Sequence, residues 1–148
     1  MLSDPAEASP FLRRVLDTYN SRRPEAFDAL LTEDCALVRD GAEARGREAV
    51  KRVLGQLYRA IPDLEYRIDD AISSGEKFAI RWEGHGTHRG EYQGISPTGS
   101  AMSYAGVTFF EMRGDRIARI WVSTNLLERL RSLAEVAQPS QSRPEPLH

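Results

Sequence analysis

The hydrophobic periodicity of the chain changes at Pro62, and this change limits the possible folds more than any other feature. Up to Pro62, the segment "GREAVKRVLGQLYRAIPD" carries its apolar residues three and four positions apart, which is the spacing of an amphipathic helix. Beyond it, apolar and polar residues alternate, as in "KFAIRWEGHGTH", which is typical of strands with one covered face. Helices therefore precede a sheet in this chain.

Local signals predict the remaining elements. Ser9-Pro10 predicts a helix start, with Ser as the N-cap and Pro at the first helical position, and Arg23-Pro24-Glu25 predicts a second, shorter one. "CALVRD", residues 35–40, predicts a short strand. Four long strands are expected over residues 64–122, and a final helix over about residues 125–137.

Helices that are segregated from an antiparallel meander define the α+β class. We expect a cone-shaped α+β barrel, in which the N-terminal helices pack on a strongly curved antiparallel sheet and enclose a pocket. This domain is expected to cover residues 9–138. Residues 1–8 are expected to form a disordered N-terminus, and the polar, Pro-rich residues 139–148 a disordered tail.

Composition argues against several classes of protein. A net charge of -2 in 148 residues disfavours a nucleic-acid partner. The single cysteine, Cys35, is interpreted as a small buried residue, and its lack of a partner fits a reducing, cytoplasmic compartment. Neither a signal peptide nor a membrane span is expected from the apolar runs. The spacing of His85, His88 and His148 offers no metal site, so we expect no metal.

Aromatic side chains recur on the predicted strands and on the helix that would pack against them. If they share the inner face of the sheet, they form an aromatic pocket with a few polar groups. The alternative is a plain aromatic core. The candidate substrate-binding residues are Tyr58, Trp82, Tyr104, Phe110 and Trp121.

Two polar residues each have a structural and a functional interpretation. His88 is either a partly exposed histidine that bonds to the backbone or an acid or base that titrates near neutral pH. Asn125 is either the N-cap of the final helix or a residue of the pocket, since Asn is among the best caps.

The segment "GTHRGEYQGISPTG" carries a recognisable pattern, with "PDLEYRIDDAISSGEKFAIRW" before it and "GDRIARIW" after it. With these segments, residues 12–133 resemble the SnoaL-like polyketide cyclases, of the superfamily that shares the nuclear transport factor 2 fold. The resemblance implies an α+β barrel with an internal pocket, and an intramolecular aldol closure that needs no cofactor or metal. Sheets of this superfamily often pair back to back into dimers.

The chain departs from the pattern of this family at two positions. The pattern is an apolar residue, an acid two positions on, a Trp two further, and the catalytic Asp four after the Trp. These positions are Ile117, Arg119, Trp121 and Asn125 here. An amide cannot exchange a proton, but it can donate a hydrogen bond to a carbonyl oxygen that becomes an enolate. A cationic Arg119 in the pocket would favour an anionic or enolate-forming ligand.

Three functions are compatible with these observations. As an enzyme, the protein would be a cofactor-independent cyclase, isomerase or hydratase for a small, apolar, cyclic molecule, with Asn125 and His88 as catalytic residues. As a binding module, it would hold such a molecule without converting it. As an interaction protein, it would act through its sheet; apolar residues on both faces of the last strand predict a homodimer.

Overall fold

The computed structural model describes residues 4–137 of the chain. The expected tail, residues 139–148, lies outside this range. The expectation of a disordered N-terminus is wrong in part, because Pro5–Ala8 forms a helical turn, α1. Asp4 caps this turn: its side-chain oxygen accepts a hydrogen bond of 2.9 Å from the Ala6 N–H.

The predicted helix starts are confirmed. Helix α2 covers Pro10–Asn20, and its cap Ser9 accepts a hydrogen bond of 3.2 Å from the Leu12 N–H. The second start opens a single 3₁₀ helix, Pro24–Asp28. Helix α3 covers Arg47–Ala60, so the strongest helical pattern of the sequence is confirmed as well.

A hairpin lies between the 3₁₀ helix and α3. Its first strand, β1, covers Leu31–Arg39 and is longer than expected, and its second strand, β2 at Ala42–Arg45, was not predicted. The turn residues Asp40 and Gly41 both have positive φ, 51° and 78°. A two-residue turn of this kind matches the twist of a hairpin, and Asp-Gly is its usual sequence. The dipeptide therefore carried a signal for β2.

The four predicted long strands and the final helix are confirmed. They are β3 Glu65–Ser74, β4 Lys77–Thr87, β5 Ala101–Arg113, β6 Arg116–Thr124 and α4 Leu126–Ala137. Together with β1 and β2 they form one sheet of order β2-β1-β6-β5-β4-β3.

The α+β class is confirmed, with two corrections. The sheet is mixed, because β6 pairs with β1 in parallel while all other neighbours are antiparallel. It is also open, with β2 and β3 as its edges. Parallel strands need a long connection between them. The chain provides one here, because α3 and the meander lie between β1 and β6.

The core lies between the helices and one face of the sheet, the inner face. Val15 of α2 and Leu54 of α3 are buried there against Phe110 of β5 and Ile120 of β6. No helix within residues 4–137 is both long and apolar enough to cross a membrane.

Candidate functional site

A cavity of about 70 Å³ lies between α2, α3 and the inner face of the sheet. A cavity of roughly 150 Å³ is known to hold benzene, so this one needs some displacement of its wall before it admits a ring compound. Its wall is mostly apolar. The lining residues are Val15, Leu16, Tyr19, Leu37, Arg39, Val53, Leu54, Leu57, Tyr66, Ile68, Ile80, Trp82, Tyr104, Thr108, Phe110, Val122, Thr124 and Leu126.

The strand register arranges the inner face in layers. Residues that are paired across neighbouring strands point to the same face, and every second residue repeats the pattern. Starting beside α4, the layers are Tyr66–Gly84–Tyr104, Ile68–Trp82–Gly106–Thr124, Ile80–Thr108–Val122–Arg39 and Phe78–Phe110–Ile120–Leu37. The polar groups that the sheet contributes to the cavity therefore lie in the first three layers, and the fourth contributes apolar side chains.

The first layer holds a pair of hydrogen-bonded phenols. The Tyr66 and Tyr104 hydroxyl oxygens are 2.8 Å apart. Both rings pack edge-on against Trp82 of the second layer, at centroid distances of 5.2 and 5.4 Å. Gly84 makes room for the pair, because a Cβ there would lie 3.1 Å from each of the two rings. The absence of a side chain at Gly84 of β4 thus leaves space for the tyrosine rings on β3 and β5.

Burial raises the pKa of Tyr66 well above its usual range and also raises that of Tyr104. Both phenols are therefore protonated at neutral pH and act as hydrogen-bond donors. One O–H is used within the pair, and within residues 4–137 the second has no acceptor. The pair can donate this hydrogen bond to an oxygen atom in the cavity.

The second and third layers are joined by a buried hydrogen bond. Trp82 Nε1 donates to Thr108 Oγ1 at 2.8 Å. Gly106 lies on β5 with Thr108 and is paired with Trp82 of β4, and a Cβ at Gly106 would come within 2.5 Å of the Trp82 ring. The indole is therefore held in one orientation, with its N–H satisfied and its ring available to the cavity.

Three of the predicted substrate-binding residues line the cavity, namely Trp82, Tyr104 and Phe110. Tyr58 does not. It is buried beneath Tyr19, and its hydroxyl donates a hydrogen bond of 2.8 Å to the Tyr19 carbonyl oxygen. Its place in the expected set is corrected, because its hydroxyl is bonded to the backbone of α2 and the residue is absent from the cavity wall.

Trp121 lies on the outer face of the sheet, which corrects the prediction that it lines the pocket. Its ring packs edge-on against Phe109 at 5.7 Å. The physical reason is a β-bulge: the β5–β6 register shifts between Glu111 and Met112, so Ala118 is an extra residue on β6. Ile117 before the bulge is buried, while Trp121 after it points outward.

Arg119 also lies on the outer face, beside Trp121. Its guanidinium carbon lies 5.6 Å from the centre of the Trp121 ring, and its Nη1 lies 3.9 Å from a Glu43 carboxylate oxygen. The cation that lines the cavity is Arg39 instead.

His88 is fully buried and anchors the segment that connects β4 to β5. Its Nδ1 lies 3.3 Å from both the backbone nitrogen and the hydroxyl of Thr98. Its backbone N–H donates to the Ser100 carbonyl oxygen at 3.0 Å, and its own carbonyl oxygen accepts from the Gly99 N–H at 2.8 Å. The expectation that His88 faces the pocket is corrected, because this side chain is absent from the cavity wall.

The other residues of the Gly-Thr-His motif connect β4 to the end of α3. The Asp63 carboxylate accepts hydrogen bonds from the Thr87 N–H and hydroxyl, at 2.7 and 2.8 Å. These bonds lower the pKa of Asp63. A Cβ at Gly86 would lie 2.9 Å from the same carboxylate. The motif that carries the family resemblance thus stabilises the fold around the cavity.

Asn125 occupies the N-cap position of α4, because its carbonyl oxygen accepts the first helical hydrogen bond from the Arg129 N–H at 3.0 Å, but its side chain does not cap the helix. It is exposed and is absent from the cavity wall. Its side-chain oxygen accepts a hydrogen bond of 2.9 Å from the Ala105 N–H, and the Asn125 N–H lies 3.2 Å from the Ala105 carbonyl oxygen. The first turn of α4 is served by Thr124, whose hydroxyl oxygen accepts from the Leu126 N–H at 3.2 Å. Asn125 therefore clamps the start of α4 to β5.

Sequence reasoning overlooked several residues of the wall, above all Tyr66, Tyr19, Thr108, Thr124 and Arg39. Tyr66 had a signal, since it lies two positions from both Leu64 and Ile68 and therefore shares their face of the strand. Arg39 had none, because a charged residue at a strand end normally faces solvent. Among the lining residues there is no carboxylate and no histidine.

These features together define an open α+β sheet with a mostly apolar cavity of about 70 Å³ under two helices. A family model of the SnoaL-like polyketide cyclases matches residues 10–133. The chain belongs to the SnoaL-like polyketide cyclase family. Among curated proteins, none matches this sequence.

Solved structures have the same fold at low sequence identity. A provisional SnoaL-like polyketide cyclase from Jannaschia sp. CCS1 is 16% identical, with a TM-score of 0.77 over 88% of this chain and 93% of that one. TsrD from Streptomyces laurentii is 24% identical, with a TM-score of 0.74 over 89% and 98%. A Catenulispora acidiphila protein with a ketosteroid isomerase-like fold, solved with trimethylamine, is 18% identical, with a TM-score of 0.66 over 82% and 86%.

Proposed function

We propose that the protein binds a small, mostly apolar, cyclic molecule of the polyketide type in this cavity and acts on it as a cofactor-independent cyclase or isomerase. The observation that carries the proposal is the free O–H of the Tyr66–Tyr104 pair in a mostly apolar wall. Such a donor stabilises a carbonyl oxygen as it gains enolate character, and it does so most strongly where water is excluded. Membership of the family supports the same substrate class.

A cavity-filling substitution tests where the ligand binds. Val53 is half-buried in the wall, so Val53→Phe should place a ring in the cavity and lower ligand affinity roughly tenfold or more, given the cost of overpacking. Affinities for cyclic ketones of one to four rings would be measured by tryptophan fluorescence and calorimetry. Val136→Phe is the matched control, because Val136 is 77% exposed on α4. Equal affinity in Val53→Phe and wild type would contradict the proposed location.

The second candidate is a non-catalytic binding module of the same fold. It is favoured by the absence of a carboxylate or histidine from the cavity wall and by the use of the Asn125 oxygen on Ala105. Catalysis through Asn125 requires its amide to turn toward the cavity. The two candidates differ in whether a product forms, so each ketone that binds would be incubated with wild type and with Asn125→Asp and analysed by mass spectrometry and chiral chromatography. A product from wild type rules out the module, and a product from the variant alone supports it.

We also propose that the protein is a homodimer that pairs through its outer face. An apolar row crosses five strands there, and its members are Ile72, Ala79, Phe109, Trp121 and Val38. Ile72 is 72% exposed and Phe109 is 39% exposed, although both are large and apolar. A second copy that presents the same row would cover both rows at once.

A charge in this row should separate the dimer. Phe109→Lys would place an ammonium group in the apolar contact, so we expect a dimer mass for wild type and a monomer mass for the variant at micromolar concentration. Light scattering coupled to gel filtration measures both. Gln56→Lys, on the exposed side of α3, is the control and should remain dimeric. A monomeric wild type would contradict the proposal.

A cytoplasmic location remains a prediction from the single cysteine.

A further inference from the structure

Within the described residues 4–137, Arg39 is the one charged residue in the wall of the cavity. It lies in the third inner layer, where its Cα pairs with that of Val122. The hairpin turn at Asp40 and Gly41 follows directly and fixes the register of β1 with β2, so the inward direction of Arg39 is set by the backbone.

The guanidinium of Arg39 has no partner within residues 4–137, although the residue is half-buried. Each of the other half-buried arginines in that range has a hydrogen bond or an ion pair. They are Arg14, Arg22, Arg47, Arg116 and Arg119. A guanidinium group carries five donors in a planar fork that matches a carboxylate, so five unused donors at an apolar cavity indicate a site for an anion.

The phenol pair lies close enough to respond to this charge. Burial is the main cause that raises the pKa of Tyr104, and the positive charge of Arg39 partly opposes it. Arg39, Tyr66 and Tyr104 all line this cavity, so Arg39 and the free O–H of the pair border the same space. An oxygen atom with negative charge in that space would have a cation and a neutral donor as neighbours.

We propose that Arg39 is an anion-binding residue of the cavity, and that the ligand is an apolar ring compound with one acidic oxygen group, a carboxylate or a stabilised enolate or phenolate. The inference rests on the proposed function, since it requires a ligand in this cavity. It adds the charge class of that ligand and names the residue that selects it. The competing arrangement is an Arg39 whose stem packs on the rim while its guanidinium stays hydrated.

Benzoate and acetophenone form a suitable pair of probes, because they have the same number of heavy atoms and differ in charge. We expect wild type to bind benzoate roughly 10- to 100-fold more tightly than acetophenone, which is the range of a hydrogen bond to a charged group. Calorimetric titration measures both affinities, with 2-naphthoate and 2-acetylnaphthalene as a larger pair.

Substitution at residue 39 assigns the preference. Arg39→Met should bind benzoate and acetophenone equally and keep the wild-type affinity for acetophenone, whereas Arg39→Lys should keep part of the preference. Arg45→Met removes a charge from the exposed neighbouring strand, and we expect it to behave as wild type. Thermal unfolding of each variant checks that the fold is intact.

The outcomes separate this inference from the proposed function. If wild type prefers the anion in neither the carboxylate pair nor the phenolate pair, or if Arg39→Met keeps the wild-type preference, the role of Arg39 is overturned and the proposed function stands. If neither probe pair binds wild type, both the role of Arg39 and the proposed function are overturned.

A third arm uses a phenolate pair, in which 4-nitrophenolate is compared with its methyl ether. Preference for the carboxylate alone, for the phenolate alone or for both identifies which acidic oxygen Arg39 accepts.

Discussion

A Gly90→Ala variant is expected to lose about 3 kcal/mol or more of its free energy of unfolding. A Cβ at Gly90 would overlap the Arg59 carbonyl oxygen and would lie 3.1 Å from the Ala60 Cα. Both are backbone atoms at the end of α3, so neither can swing aside as a side chain would. Overpacking costs about 1–3 kcal/mol in cores that can adjust, and more where the backbone must move.

Two hydrogen bonds would be lost with this contact. The Arg89 and Gly90 N–H groups donate to the Ala60 carbonyl oxygen at 2.9 and 3.0 Å. They satisfy an acceptor that the end of a helix leaves free, and they fasten the segment after β4 to α3. The close approach that makes these bonds is the reason that only glycine fits.

Gly55→Ala is the control, and the expected sign is opposite. Gly55 lies inside α3, where a Cβ would have its nearest contact at 3.4 Å, with the flexible end of Arg59. Alanine should therefore add about 0.5–1 kcal/mol through helix propensity. Chemical and thermal unfolding of both variants measure the difference. A Gly90→Ala protein that unfolds at the wild-type denaturant concentration would contradict the packing described for the segment after β4.

The second large effect is a loss of stability in weak acid that depends on His88. Burial lowers the pKa of His88 from its ordinary value of 6.5, and the Gly90 backbone opposes this in part. Below pH 6.5 the unfolded chain therefore binds a proton that the folded chain does not. Stability is highest above this value and should fall as the pH drops, by up to about 1.4 kcal/mol per pH unit for one proton.

His88→Asn should remove this acid sensitivity. The amide oxygen can accept the hydrogen bond from the Thr98 N–H, as Nδ1 does, but it does not titrate. Unfolding curves between pH 4.5 and 8 compare the slopes, with His85→Asn, an exposed histidine on β4, as the control. Asp63 contributes in a separate window, because its pKa lies below 3.8 and its stabilisation is lost only as the pH falls below that value. A variant with the wild-type slope between pH 5 and 6.5 would refute the role of His88.

His88→Asn also separates structure from catalysis. A residue that only anchors the β4–β5 connection should leave ligand affinity at pH 8 unchanged, since it does not touch the cavity. If the variant folds and its pH profile of turnover shifts while its stability does not, His88 acts as a base after all.

Local signals were sufficient for most of the secondary structure. Ser9 and the following proline predicted α2, and the period change at Pro62 predicted where helices end and the meander begins. These signals are reliable because capping and strand alternation depend on residues a few positions apart. The pairing of β1 with β6 is between residues far apart in sequence, and no local signal reports it.

The candidate site was predictable only in part, for reasons of register. Trp82, Tyr104 and Phe110 follow simple alternation and were placed on the cavity correctly. Trp121 was misplaced, because a single extra residue on β6 reverses the face of every side chain that follows it. The same reversal removed Arg119 from the cavity. Bulges depend on how two strands fit together, so the alternation of one strand does not reveal them.

The sequence by itself determined the class of fold and the family. Each of these depends on residue types and their spacing along the chain. The tertiary structure decided which polar groups meet in the cavity. Arg39, Tyr66 and Tyr104 come from three different strands, and Asn125 is turned away from them by its bond to Ala105. The physical reason is that contacts across a sheet are set by strand order, register and bulges, which exist only once the strands have paired.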